Sequence, residues 1–233
     1  MPLPTIETPK YTVQVPSTKQ EIEYRPFLVK EEKILMMAQE SNDTKSVMKA
    51  TKDILQSCTF NKLDVNKLAI YDIEYLFLQL RMRSVGEVAK LKLKCTETGE
   101  YVKYDLNLED VQVEYPKKKV ENKVQLTDKV GITLKPIGVD DATDIGSAED
   151  EKQMVWGIAA SIETVYDENG VYQLSDFTEK EVTEFVESLN RSQIEKIQDY
   201  LENQPKLSHT IKFKGPEGHD NTITLTGLQS FFT

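Results

Sequence analysis

One stretch narrows what this chain can become. From Ala89 to Leu108, apolar and polar residues alternate on both sides of a single turn. Ala89, Leu91, Leu93 and Cys95 alternate with Lys90, Lys92 and Lys94. Val102, Tyr104, Leu106 and Leu108 alternate with Lys103, Asp105 and Asn107. A period of two sends successive side chains to opposite faces, so each strand has one buried and one wetted face. Thr96-Glu97-Thr98-Gly99-Glu100 supplies the turn, and the whole reads as a hairpin. Val111, Val113 and Tyr115 continue the alternation. Val124, Leu126, Val130, Ile132 and Leu134 offer further short strands before Pro136. Residues 88–136 are therefore expected to form a small antiparallel sheet.

Upstream the period is helical. Tyr11, Val13 and Val15, then Ile22 and Tyr24, suggest a short hairpin after a proline-containing arm. Pro26 suits a first helical turn, where its missing N–H costs nothing. Phe27, Ile34, Met37 and Ala38 then share one face of a helix over 27–40, and this apolar stripe is expected to pack inward. Ser41-Asn42-Asp43 stops that helix and caps a second over 44–57, marked by Val47, Ala50, Ile54 and Cys58. A third helix over 72–84, with Asp72 as a candidate cap, is apolar nearly all round and reads as the central helix.

Downstream of a loop or broken helix over 137–148, Ser147-Ala148-Glu149-Asp150 reads as a capping box. Val155, Ile158, Ala159, Ile162 and Val165 form one stripe behind it. Phe177-Thr178-Glu179-Lys180-Glu181-Val182 combines a capping box with a hydrophobic staple, opening a helix with Val182, Phe185, Val186 and Leu189 on its face. Ile194, Ile197 and Leu201 mark another helix, which Pro205 closes. Strands at Thr210–Phe213 and Thr222–Leu225 flank the turn Gly215–His219. The class expected is α+β. It comprises an arm, hairpin and helical domain over 1–87, an antiparallel β segment over 88–136, and a helical segment ending in a β-hairpin over 137–233.

Lys and Arg number 29 against 39 Asp and Glu, a net charge of −10. A field of that sign repels a phosphate backbone, so no nucleic-acid partner is expected, and Lys117-Lys118-Lys119 reads as a solvated turn. No run of 18 apolar residues offers a membrane span, and Met1–Pro4 lacks the pattern of a secretory leader. Cys58 and Cys95 are too few for a disulfide framework, and Cys58 reads as a buried, inert thiol.

No catalytic signature emerges. The glycines are scattered rather than clustered before a helix, and no nucleophile-elbow motif occurs. His209 and His219 read as surface turn residues. The acidic runs at Asp140–Gly146 and Asp167–Gly170 lack the ligand register of a calcium loop and read as solvated turns. Cys95-Thr96-Glu97-Thr98-Gly99 has the shape of a zinc knuckle with its second cysteine replaced by Thr98, and the Lys214–His219 turn is a similar knuckle without ligands. Four ligands cannot be assembled from these, so a ribbon without metal is expected. No catalytic residue, cofactor or metal ligand is assigned.

The sequence YRPFLVKEEKILMMA at 24–38 resembles the N-terminal motif of the baseplate hub assembly proteins of T-even-like contractile-tailed bacteriophages. The likeness continues through IYDIEYLFLQLRMRSVGE at 70–87, the Cys95 hairpin and ITLTGLQSFF at 223–232. Some relatives carry full cysteine pairs in the knuckles; this chain does not, so no metal role carries over. The resemblance implies a non-enzymatic tail protein that helps build the central baseplate hub in the host cytoplasm by binding other tail proteins. The alternatives are a structural subunit kept in the virion baseplate, and a metal- or nucleic-acid-binding regulator built on the ribbon-like hairpins. Arg25, Lys30, Glu31 and Lys33, read as exposed charges, and Phe231 and Phe232 at the chain's end are the candidate partner contacts. Oligomeric state is left open.

Overall fold

The computed structural model describes residues 6–41, 43–117, 121–146, 150–227 and 230. It is mixed helix and strand, with every strand pair antiparallel, and the α+β class holds. The chain groups into two compact units, one of residues 1–114 and 206–233, the other of residues 115–205.

The first unit opens on the hairpin of β1 (Tyr11–Gln14) and β2 (Glu21–Tyr24). Three helices follow: α1 (Val29–Glu40), α2 (Thr44–Cys58) and α3 (Ile70–Ser84). Asp43 caps α2 by accepting the N–H groups of Lys45 and Ser46. In α3, Tyr71, Ile73, Leu76, Phe77, Leu78, Leu80 and Met82 are all buried. Asp72 sits in the first turn of α3 rather than before it. It accepts the N–H of Ala69 at 3.2 Å, satisfying one orphan donor of the first turn. It also accepts Ser17 N–H at 2.9 Å and Ser17 Oγ at 2.6 Å, which ties the β1–β2 turn to the central helix.

The predicted hairpin is β3 (Val88–Lys94) and β4 (Tyr101–Asn107), with Ala89 opposite Leu106 and Leu93 opposite Val102. The expected single sheet over 88–136 is not formed; its strands divide among three sheets. β5 (Gln112–Glu114) instead pairs with β10 (Lys206–Lys214), which also pairs with β11 (Asp220–Thr226). The reason is apolar area. Leu207, Ile211 and Phe213 of β10 complete a cluster with Leu91, Leu93, Leu106, Leu108, Val111 and Leu78 that a lone two-stranded ribbon could not bury. This grouping also joins the last hairpin to the first helices, across the three consecutive segments expected from the sequence.

In the second unit, β6 (Lys123–Gln125), β7 (Gly131–Leu134), β8 (Ile162–Tyr166) and β9 (Val171–Gln173) form a meander in that order. Its helices are α4 (Val139–Gly146), α5 (Asp150–Ser161), α6 (Glu179–Glu187) and α7 (Arg191–Glu202). The stripe expected to run from Val155 to Val165 breaks at Ser161. Ile162, Thr164 and Val165 are β-branched and pair with β7 instead. Asp140–Gly146, expected as a solvated turn, lies within α4. The capping box expected at Ser147–Asp150 lies largely outside the described residues. That at Thr178–Glu181 is formed: Glu181 accepts the Thr178 N–H at 2.9 Å, and Thr178 Oγ1 accepts the Glu181 N–H at 3.4 Å. The core is Val124, Ile132, Leu134, Ile158, Ile162, Val186, Ile197 and Tyr200. Between Tyr115 and Pro205 acidic residues outnumber basic ones almost two to one, so this unit holds nearly all of the net charge. No helix among the described residues is long and apolar enough to cross a membrane.

Candidate partner-binding site

The segment leading into α1 is anchored by polar contacts. Arg25 donates its backbone N–H to the Cys58 carbonyl at 3.0 Å. Its guanidinium donates to Glu31 Oε1 at 2.8 Å, Ser57 Oγ at 3.1 Å and the Pro26 carbonyl at 2.9 Å. The other Glu31 oxygen accepts the Leu28 N–H at 2.8 Å, at the start of the helix. Phe27 donates its N–H to Ser84 Oγ at 2.9 Å, linking the same segment to the end of α3. Arg25 is only 9% exposed and Glu31 only 3%. This corrects the expectation that both are exposed charges: they form a buried ion pair. Lys30 and Lys33 are exposed as expected. Phe231 and Phe232 lie outside the described residues.

Burial pushes the Glu31 carboxyl upward. The Arg25 hydrogen bond, the Leu28 N–H and the charges of Arg25 and Lys30 outweigh it, leaving the group below its usual value. Burial pushes the neighbouring Cys58 thiol up to about 11, in keeping with an inert thiol.

The apolar stripe of α1 is also reassigned. Phe27 and Ala38 are buried, but Ile34 and Met37 are not. Seating Glu31 against Arg25 turns Glu31, Leu35 and Ala38 inward, a narrow seam against α2. Val29, Ile34, Met36 and Met37 are left in solvent beside Lys30 and Lys33, with Val29 66% and Met37 71% exposed. A helix anchored at its root thus exposes two methionines and two aliphatic side chains among its lysines.

The two knuckle turns meet in the first unit. Asn221 of β11 accepts the Thr96 N–H at 2.9 Å and the Thr96 hydroxyl at 3.0 Å, and its amide donates to Cys95 Sγ at 3.4 Å. Hydrogen bonds from the Thr98 N–H and hydroxyl, aided by Glu97 and Asn221, hold the Cys95 thiol below its usual value against the opposing effect of burial. Gly215 lies so close that a Cβ there would stand 2.6 Å from the sulfur. A side-chain amide and a bare glycine thus fill the space beside the single cysteine. Neither signal was legible in the sequence, because neither residue type implies a thiol partner. His219 follows the second turn, whereas His209 lies within β10. Among the described residues no group of three or more His, Cys, Asp or Glu could hold a metal ion.

The chain is 26% identical over 213 residues to the baseplate hub assembly protein gp26 of Enterobacteria phage T4, spanning 91% of this chain and 92% of that protein. No solved structure matches it. The family described as T4 bacteriophage base plate protein matches residues 8–233, and the chain belongs to that family.

Proposed function

We propose that this protein is a non-enzymatic assembly factor for the central hub of a phage tail baseplate, acting in the host cytoplasm by binding other tail proteins. The observation that carries the reading is the solvent-facing side of α1. There Val29, Ile34, Met36 and Met37 stand unburied beside Lys30 and Lys33, on a helix fixed by the Arg25–Glu31 pair. Apolar side chains exposed on one side of an anchored helix and interspersed with charge suit a protein partner. The name of the gp26 relative supports the hub context.

Co-expression with individual hub proteins tests the reading. One of them should be retained by the wild type and lost when Met36 and Met37 are replaced by glutamate. Retention of none of the hub proteins would remove the reading. Mass spectrometry of purified virions divides its two forms. Absence from the particle fits a transient factor, and stoichiometric presence makes the protein a structural subunit of the baseplate.

A further inference from the structure

A second surface lies in the acidic unit. The face of β8 and β9, the turn at Leu174 and helix α6 enclose an open groove of about 490 Å³. That volume lies within the range of sites that take apolar ligand groups, about 300–1,000 Å³. Val165, Leu174, Val182 and Phe185 line it. Tyr172 and Phe177 also line it, 38% and 43% exposed, with their rings edge to face at 6.4 Å. Two carboxylates stand among these apolar residues, Glu181 and Glu184, three positions apart on α6 and hence on one side of it. Glu184 has Lys180 at 3.6 Å, an exposed pair of small worth that an incoming cation can displace. Glu181 is held in place by Thr178.

We propose that this groove binds a short amphipathic helix of another protein, with aliphatic residues on one face and lysine or arginine along its flank. An amphipathic helix would lay its apolar face on this lining, where the two aromatic rings offer flat contact area at low entropic cost. The carboxylates select the sign of the flank, and the surplus negative charge of the unit attracts it from a distance. The same charge disfavours a second copy of this unit as the occupant. The inference is separate from the reading of α1 and stands or falls without it.

The test titrates the full-length protein into a labelled synthetic helix of leucine and lysine, with a leucine–glutamate counterpart as the second probe. One-to-one binding of the first and none of the second is expected. Phe177→Ser and the double change E181Q/E184Q should each weaken binding about tenfold. The double change D128N/E202Q, which removes two charges outside the groove, should weaken it less than about twofold. Glutamine can serve in a capping box, so E181Q/E184Q keeps the test decisive even if Phe177→Ser does not fold. Equal binding of both probes, equal loss in the D128N/E202Q control, or no loss in the groove variants overturns the proposal. So does self-association abolished by Phe177→Ser.

Discussion

Glu31 divides its two oxygens between Arg25 and the first turn of its own helix, receiving the guanidinium at 2.8 Å on one and the Leu28 N–H at 2.8 Å on the other. Removing one member of a buried pair strands the other, at a cost of about 3–5 kcal/mol. Glu31→Gln and Arg25→Ala are each expected to lower stability on that scale in urea unfolding at neutral pH. The Glu31 carboxyl lies below its usual 4.5 in the folded chain, so its contribution is fully present above pH 4.5 and is lost as pH falls through the folded value. Unfolding midpoints followed below pH 4.5 should therefore fall less steeply in Glu31→Gln than in the wild type.

The neighbouring exposed positions should behave in the opposite way. Reversing Lys33, or replacing Met36 and Met37 with glutamate, changes groups that face water, and stability should stay within about 0.5 kcal/mol. Retention of a hub partner should be lost. Thermal melts and pull-downs on the same preparations separate the two effects.

How much of this was legible depended on how local each signal was. The β3–β4 hairpin and the Thr178–Glu181 capping box were written in a few adjacent residues. The periodicity of α1 grouped Phe27, Ile34, Met37 and Ala38 but could not say which side of the helix would meet α2. The Arg25–Glu31 seat decides that, and it is completed by Ser57 and Cys58 from the end of another helix. Helical spacing also carried the α5 stripe past Ser161, where pairing with β7 prevails. Asn221 finds Thr96 across 125 positions, a distance that no motif spans.

Glycine at two sites gives a graded prediction. A Cβ at Gly215 would meet Cys95 Sγ at 2.6 Å and Asn221 Nδ2 at 2.8 Å, both held in the buried junction of the knuckles. Gly215→Ala should cost about 1–3 kcal/mol through overpacking. At Gly131 the obstacle is the far end of the partly exposed Tyr166 ring, which can swing away, so Gly131→Ala should cost less. Paired urea curves read the difference directly.

The second unit should be removable. Glu114 and Lys206, on either side of it, are direct partners in the β5–β10 ladder. Replacing residues 115–205 with a short glycine-containing turn should leave a folded first unit with a cooperative melt. A molten product would show that the two units depend on each other.

That ladder also sets an order of events during synthesis. β10 is the middle strand of its sheet, yet it leaves the ribosome long after β5 and α3, which it contacts, and just before β11. Until then β5 has an open edge, and the cluster around Leu91 and Leu106 lacks Leu207, Ile211 and Phe213. Domains fold as they emerge, so the acidic unit is complete while the first still waits. During that interval, its charge keeps the unfinished chain in solution.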